Sequence, residues 1–315
     1  MDKMQRREFL KTSVAGMAGV LAGAKIASAQ TCCPGGATVA ATELAGSGKT
    51  FDPYEIVQLG KTDIKLSRLG FGTGMTGGNR ASNQTRLGRE RFQALLRESY
   101  DRGLRYFDSA DMYGSHSYII PALKGIDRDK YAICSKIQRF DILEGEKEKP
   151  LVTFDRFQKE LQTDYIDLLL FHCVWEGDWN KLYKPYMDGM SELKEKGKVH
   201  ALGVSCHSLD ALRTAVKEPW VDSVHARINA FGSEMDGSPE DVMAVLKEIH
   251  DAGKGVVGMK LIGAGAFRNS PEQKIKSADF VLNSGNVDAV IVGFESTEEL
   301  ADYESIVRKT PVRTA

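Results

Sequence analysis

The stretch Ile166-Asp167-Leu168-Leu169-Leu170-Phe171-His172 is an apolar run of strand length that ends at a polar residue. Runs of the same kind recur from residue 66 onward, and amphipathic helical patterns lie between them. We predict strands near residues 69–73, 105–108, 131–135, 166–171, 199–205, 221–226, 255–260 and 288–293. Regular alternation of strands and helices is typical of a parallel sheet, and eight strands are the number that closes a (β/α)8 barrel.

The helical patterns and the turns between them favour the same architecture. Helices are predicted over residues 90–102, 153–162, 185–196, 208–217, 239–252 and 297–308. A doubly wound open sheet is the rival α/β arrangement, but the first strand-to-helix turn, Gly70 to Gly74, lacks the G-x-G-x-x-G spacing. The 315-residue chain therefore predicts a single-domain TIM barrel of the α/β class.

The N-terminus has the features of an export signal. Arg6-Arg7-Glu8-Phe9-Leu10-Lys11 precedes an apolar stretch from Val14 to Ala24, and Ala27-Ser28-Ala29 forms an A-x-A cleavage pattern. The paired arginines indicate a twin-arginine signal over residues 1–29, and hence a twin-arginine translocase as partner and a periplasmic or otherwise exported location. The apolar run is 11 residues, whereas a bilayer span needs about 20, so we expect no stable membrane span.

The remaining boundaries follow from composition. Residues 30–52 are rich in Gly, Ala, Thr and Ser and are interpreted as a flexible tether before a barrel over 53–315. The barrel opens with a β-hairpin over residues 55–67 that turns at 60–63. The chain has 42 basic and 43 acidic residues, so its charge gives no case for binding nucleic acid, and a small molecule is the expected partner.

Four polar residues follow or close the second, third and fourth predicted strands: Asp108, Tyr113, Lys136 and His172. The C-terminal ends of barrel strands converge on one mouth, so these side chains are expected to meet there. A tyrosine hydroxyl with a pKa near ~10 is a poor acid at neutral pH, and a neighbouring ammonium group lowers that value. The four residues therefore predict a proton-transfer site.

Asp, Tyr, Lys and His in this order resemble the catalytic tetrad of the aldo-keto reductases. The resemblance implies reduction of an aldehyde or ketone by hydride transfer from a nicotinamide cofactor, NAD or NADP. It assigns Tyr113 as general acid, Lys136 as the group that tunes it, Asp108 as support for Lys136, and His172 as the residue that orients the carbonyl. It also implies that the hairpin closes the bottom of the barrel.

Two further segments resemble the family's nicotinamide-binding residues. Gly203-Val204-Ser205-Cys206-His207 is similar to the family's G-V-S-N, in which Ser and Asn bind the carboxamide. Ser205 matches this pattern, and Cys206 replaces the Asn. His225 lies where the family has a carboxamide-binding Gln, and an imidazole can donate one hydrogen bond there.

The last two strands resemble the segments that hold the rest of the cofactor. Met259 stands in place of the aromatic residue that stacks on the nicotinamide, and Lys260 follows it. Gly293 and Ser296 precede a predicted helix whose N-terminus suits a phosphate. The basic residues that grip a 2′-phosphate in NADP-dependent members are absent, with Gly293 and Glu299 near those places, so the dinucleotide preference stays open.

Two alternative functions remain open. Histidines and cysteines fall at or just beyond strand ends, and such a group binds zinc or a redox metal in metal-dependent hydrolases and lyases. No H-x-H or H-E-x-x-H spacing supports this, and we predict no metal site. The other alternative is a barrel that binds without turnover. The residues concerned in the metal alternative are His116, His172, Cys173, Cys206, His207 and His225.

Overall fold

The structure is a computed structural model that describes residues 48–138 and 150–313. Eight parallel strands close into a barrel in which each strand pairs with the next along the chain and the last pairs with the first. The predicted (β/α)8 barrel is thus confirmed. The barrel strands are β3 (Leu69–Gly72), β4 (Tyr106–Asp108), β5 (Ala132–Gln138), β6 (Ile166–Val174), β7 (Val199–Cys206), β8 (Ser223–Arg227), β9 (Gly255–Met259) and β10 (Ala289–Val292).

Helices surround the barrel and connect its strands. Each of the six predicted helices is present, with bounds that shift by up to three residues. The described helices are α1 (Asn83–Arg86), α2 (Arg89–Arg102), α3 (His116–Ala122), α4 (Pro150–Leu161), α5 (Trp179–Leu182), α6 (Lys184–Glu195), α7 (Leu209–Lys217), α8 (Pro239–Asp251), α9 (Pro271–Leu282) and α10 (Thr297–Lys309).

Of the longer helices, α9 was not predicted from the sequence. Its buried face includes Lys274 and Ser277, which are polar, so the apolar period that marks a helix is weak there. Its N-terminal signal is clear in the structure, because the Ser270 hydroxyl accepts a hydrogen bond from the Gln273 amide and Pro271 opens the first turn.

The predicted hairpin consists of β1 (Ile56–Gln58) and β2 (Lys65–Ser67), which pair antiparallel. The hairpin places Leu59, Ile64 and Leu66 in a buried cluster with the inward-facing residues of the barrel strands. The Lys61 amide also donates to the Gly253 carbonyl just before β9. The hairpin therefore closes the N-terminal end of the barrel and leaves the C-terminal end as the mouth.

The strand residues alternate between two buried apolar layers, as the period of a β-strand requires. An inner layer fills the barrel with residues such as Tyr106, Cys134, Leu168 and Leu170. A larger outer layer lies between the strands and the helices. One consequence is that a polar residue on the inner face near a C-terminal strand end is directed into the mouth.

Residues just before 53 form backbone hydrogen bonds with the C-terminal residues of the described chain. The Phe51 amide donates to the Thr310 carbonyl, and the Val312 amide donates to the Lys49 carbonyl. The last residues of the segment interpreted as a tether thus pair with the strand-like end of the chain. The rest of that segment and the signal over residues 1–29 lie outside the described residues. Among the described helices, none is long and apolar enough to cross a bilayer.

Candidate active site

Asp108, Lys136 and His172 lie at the mouth ends of three consecutive strands, β4, β5 and β6. Their exposed fractions are 2%, 1% and 3%, so the three polar side chains are removed from water. Such groups are tolerated in a protein interior when they are paired or hydrogen-bonded. The contacts of these three side chains therefore define the site.

Lys136 and Asp108 form a buried ion pair. Lys136 Nζ lies 2.7 Å from both carboxylate oxygens of Asp108 and 2.8 Å from the carbonyl oxygen of Ser109. An ammonium group has three N–H donors, so these contacts use all of them. Lys136 is consequently fixed in position by the end of the neighbouring strand.

The pair holds both groups in their charged forms. Burial alone would raise the pKa of Asp108, but the Lys136 ammonium and the His225 imidazole lower it to about 2. Burial would lower the pKa of Lys136, but the Asp108 carboxylate raises it above its ordinary value. At neutral pH the mouth therefore contains a permanent ammonium group beside a carboxylate.

Tyr113 lies on a short 3-10 turn, Asp111–Tyr113, that follows β4. The Arg156 guanidinium contacts both oxygens of the Asp111 carboxylate, at 2.8 and 2.9 Å, and Arg80 contacts it at 2.8 Å. A bidentate guanidinium–carboxylate pair fixes direction as well as distance. These two arginines therefore anchor the turn that carries Tyr113.

The Tyr113 ring packs against the glycine-rich segment after β3. A Cβ atom at Gly74 would lie 2.4 Å from Tyr113 Cζ, and one at Gly77 would lie 2.6 Å from Tyr113 Cδ1. Only glycine leaves room for the ring at these two positions. The glycines of this segment thus allow the ring to approach the backbone closely.

The Tyr113 hydroxyl points at His172, at 3.2 Å from Nε2. Lys136 Nζ lies 5.1 Å from the centre of the Tyr113 ring, over its face. Burial raises the pKa of Tyr113, and Lys136 opposes that effect without reversing it. This differs from the sequence-based expectation of a lowered tyrosine pKa, because Asp108 and Ser109 use the ammonium protons of Lys136 and the hydroxyl is withdrawn from water.

His172 is held from its other side by a residue that the sequence analysis did not identify. Gln138 Nε2 lies 3.3 Å from His172 Nδ1, and the two residues are direct partners in the β5–β6 pairing. Burial, with the positive charge of Lys136 acting in the same direction, lowers the pKa of His172 well below its ordinary range. His172 is therefore neutral at physiological pH, with one ring nitrogen protonated.

Below the mouth, His225 connects to the same ion pair. Its Nε2 lies 3.3 Å from Asp108 Oδ1 and 2.8 Å from the Tyr106 hydroxyl. Burial lowers the pKa of His225, although Asp108 opposes this. Because an ionised carboxylate only accepts hydrogen bonds, Nε2 carries the ring proton and Nδ1 is left as an acceptor.

Ser205 and His225 are direct partners in the pairing of β7 and β8. Both are buried, and neither Ser205 Oγ nor His225 Nδ1 has a hydrogen-bond partner. Native proteins seldom leave buried polar atoms unpaired, so a neighbouring donor and acceptor without partners indicate a place for a polar ligand. A hydroxyl donor beside an imidazole acceptor is complementary to a primary carboxamide.

The structure does not bring Cys206 to this pair. Its side chain is fully buried in the outer apolar layer, and burial raises the pKa of its thiol well above the ordinary value. Strand alternation explains the difference, since Ser205 faces into the barrel and the next residue faces outward. In the described structure the Cys206 side chain therefore packs in the outer layer and not beside Ser205 and His225.

The remaining predicted cofactor residues lie around the rim. Met259 is half-buried at the end of β9, against the inner layer, and Lys260 follows it with a left-handed φ of 65°. At the end of β10, a Cβ atom on Gly293 would lie 2.3 Å from Met75 Cγ. Ser296 caps α10 by accepting a hydrogen bond from the Glu299 amide.

Among the described residues, no three of the histidines and cysteines considered for a metal site have ligand atoms within 4.8 Å of one another. His116 packs outside the barrel, with Nδ1 2.9 Å from Glu160 and Nε2 2.8 Å from Ser135 Oγ. Among the described residues, ligand atoms of Asp108, Cys134 and His225 lie within 4.8 Å of one another. Both Asp108 oxygens already contact the Lys136 ammonium, and a second cation beside it would be repelled.

Known proteins resemble this chain in sequence and in fold. The model of the Aldo/keto reductase family matches residues 68–312. A Glycine max relative named "Probable aldo-keto reductase 1" is 27% identical over 264 residues, which cover 78% of this chain and 72% of that protein.

Solved structures share the fold. An aldo-keto reductase from Bacillus halodurans in its holo form superposes with a TM-score of 0.65 at 20% identity, covering 82% of this chain and 92% of that one. An aldo-keto reductase from Klebsiella pneumoniae in complex with NADPH superposes with a TM-score of 0.62 at 20% identity, covering 81% and 89%. With most of the barrel matched by the family model, the chain belongs to the aldo/keto reductase family of oxidoreductases.

Proposed function

We propose that this protein catalyses the reversible, nicotinamide-dependent reduction of an aldehyde or ketone on a small-molecule substrate, with Tyr113 as the general acid. The observation that carries the proposal is the 3.2 Å contact between the Tyr113 hydroxyl and His172 Nε2, beside the buried pair of Lys136 and Asp108. A hydroxyl and an imidazole N–H in this arrangement can both donate to one carbonyl oxygen.

The protonation states suit this role. Because burial raises the pKa of Tyr113, the hydroxyl is protonated at neutral pH, and transfer of its proton to the substrate oxygen depends on stabilisation of the phenolate that remains. The phenolate that remains lies near the Lys136 ammonium, which stabilises it, while Asp108 keeps Lys136 charged and in place. When bound, a reduced nicotinamide would supply the hydride for the carbonyl carbon, since no side chain can.

The residues at the mouth fit the cofactor that this reaction needs. Ser205 Oγ would donate to the carboxamide oxygen, and His225 Nδ1 would accept from the carboxamide NH₂ group, so both unpartnered atoms gain partners. The Met259 side chain would contact the nicotinamide ring. Lys260, Gly293 and Ser296 surround the rim, where the start of α10 suits a phosphate.

The choice between NAD and NADP depends on the end of the site near α10. The Glu299 carboxylate accepts from the Glu295 amide and pairs with Arg268. A carboxylate repels a 2′-phosphate, which favours NAD. The structurally similar Klebsiella pneumoniae protein is in complex with NADPH, which supports a nicotinamide dinucleotide as the cofactor. The binding experiment therefore uses NADH and NADPH separately.

Nucleotide titration tests the proposed function directly. We expect the protein, purified without metal chelators, to bind NADH or NADPH saturably by fluorescence, and to oxidise the bound form when an aldehyde is added. Ser205→Ala should raise the Kd about 2- to 10-fold through the loss of one hydrogen bond. Ser223→Ala is the matched control, because Ser223 also has a buried unpartnered hydroxyl but lies deeper in β8.

The other outcomes of this titration separate the alternatives. Saturable binding without turnover of any aldehyde or ketone would indicate a barrel that binds without catalysis. Absence of nucleotide binding, together with about one metal ion per chain by elemental analysis, would indicate the metal-dependent hydrolase or lyase.

We also propose that the protein is exported in folded form by the twin-arginine translocase and works in the periplasm or outside the cell. Residues 6–11 and the A-x-A pattern at 27–29 support this. Replacing Arg6 and Arg7 by lysine should leave the full-length chain in the cytoplasm, whereas the unaltered chain should appear cleaved in the periplasmic fraction. Cleavage of the variant at the unaltered level would contradict twin-arginine export.

A further inference from the structure

Gln138 is a buried polar residue at the mouth, and the reaction steps described above do not involve it. It is 8% exposed and lies two residues after Lys136 on the same inward face of β5. Its Nε2 lies 3.3 Å from His172 Nδ1, and its Oε1 is buried without a hydrogen-bond partner. A buried amide with an unpaired oxygen lowers the stability of the fold. The contact of the amide Nε2 with His172 is a function that can offset this cost.

The direction of that hydrogen bond decides what His172 can do. If the Gln138 amide donates to Nδ1, the neutral imidazole must carry its proton on Nε2, the nitrogen that faces Tyr113 at 3.2 Å. Nε2–H then donates into the mouth, and the Tyr113 hydroxyl proton is free for the substrate. The opposite tautomer would make Nε2 an acceptor that competes with the substrate for the Tyr113 proton.

We propose that Gln138 is a positioning residue that fixes His172 as the Nε2–H tautomer, so that His172 and Tyr113 both donate to the substrate carbonyl oxygen. The inference deepens the proposed carbonyl reduction and rests on it. The amide orientation in the structure, with Nε2 towards His172, is the one that permits this arrangement. Gln138 itself acts only through the imidazole.

The surroundings of His172 keep the imidazole neutral. The position of its single ring proton, on Nδ1 or on Nε2, is therefore what the surroundings must determine. Burial, Lys136, His207 and His225 disfavour its protonation, and Asp108 favours it. Tyr113 contacts Nε2 and is itself kept protonated by burial. In the unaltered protein we therefore expect that titration of His172 causes no change in kcat over the pH range in which imidazoles usually titrate.

Two substitutions at Gln138 separate this role from simple packing. Gln138→Leu removes the hydrogen bond and should lower kcat about 10- to 100-fold with little change in nucleotide Kd, by analogy with the loss caused by removing the hydrogen-bond partner of a metal-ligating histidine. Gln138→Glu places a carboxylate at Nδ1, which raises the pKa of His172. Below that pKa the imidazolium still donates from Nε2. Above it the proton stays on Nδ1, so kcat should fall as pH rises through the new pKa.

The matched control is Ser135→Ala. Ser135 lies on the same strand, is buried, and contacts Nε2 of His116 at 2.8 Å, but it faces outward. This variant loses a comparable hydrogen bond to a buried histidine and should keep the kcat and the pH profile of the unaltered protein. An equal loss of kcat in Ser135→Ala and Gln138→Leu would overturn the proposal in favour of a general packing effect.

A spectroscopic measurement decides the tautomer without relying on activity. Histidine-labelled ¹⁵N spectra of the nucleotide-free protein, with His172 assigned through its loss in His172→Asn, should show a protonated Nε2 and an unprotonated Nδ1. A protonated Nδ1 in the neutral ring, or a Gln138→Glu profile that coincides with the unaltered one, would overturn the inference. If the unaltered protein reduced no carbonyl compound, the proposed function would fail, and the spectrum would still decide the tautomer.

Discussion

Replacing Tyr113 by phenylalanine is expected to lower kcat for carbonyl reduction about 10²- to 10⁴-fold, the usual contribution of one general acid. The substitution removes only the hydroxyl, whose contact is His172 Nε2 at 3.2 Å. Single-turnover reduction of an aldehyde by the nucleotide-bound protein measures the effect on the chemical step. Nucleotide Kd should stay within about twofold, because the proposed carboxamide contacts lie on other strands.

The packing around Tyr113 makes this variant a clean test. Its ring fits against Gly74 and Gly77, and phenylalanine keeps that ring. Its turn is anchored through Asp111 by arginines that the substitution does not touch. The fold and the mouth should therefore persist, and circular dichroism and the unfolding midpoint should match those of the unaltered protein.

Tyr303→Phe provides the control for loss of a buried hydroxyl. Tyr303 lies on α10 in the outer layer, and its hydroxyl is buried without a hydrogen-bond partner. Removing it should leave kcat unchanged. Reduction by Tyr113→Phe at close to the unaltered rate would mean that another group supplies the proton.

The barrel could be predicted because each of its strands carries its own signal. Every predicted strand lies at its expected place, since a buried strand is an apolar run bounded by turn residues. The polar residues that close these runs, such as Lys136 and His172, then meet at the mouth as a consequence of parallel topology alone. Local pattern and chain direction were sufficient for this part.

The contacts across the barrel could not be predicted in the same way. Tyr106, on β4, meets His225, on β8, 119 residues later, and which inward residues touch depends on how the interior fills. The third predicted strand ended at residue 135, whereas β5 extends to Gln138, so the period of two that places Gln138 on the same face as Lys136 was not expected to reach it. The same period assigns Cys206, which replaces the Asn of the family's motif, to the outer face.

Replacing Lys136 by methionine should have the largest effect on stability. Methionine has a similar length but no charge, so the Asp108 carboxylate would lose its partner at 2.7 Å while remaining buried. Breaking one side of a buried ion pair typically costs about 3–5 kcal/mol. Urea unfolding at neutral pH, with the m-value monitored, measures the difference in the free energy of unfolding.

The pH dependence of that difference identifies its cause. In the unaltered protein the pKa of Asp108 is lowered to about 2, against ~3.9 in an unfolded chain. Its contribution is therefore present above pH ~4 and is lost as pH falls towards about 2. Without Lys136, burial raises the folded pKa above the unfolded one, so the variant loses stability as pH rises. The gap between the two proteins should narrow on acidification from neutral pH to pH ~4, and a constant gap would contradict the ion-pair explanation.

A double variant, Asp108→Asn with Lys136→Met, separates charge from packing. It buries no charge, and the amide of asparagine can still accept a hydrogen bond from His225 below it. Replacing both partners of a buried ion pair is often neutral, so most of the lost stability should return. Activity should not return with it, because no ammonium group would remain to stabilise the Tyr113 phenolate. Recovery of stability without recovery of catalysis would show that the buried charges are retained for the reaction rather than for the fold.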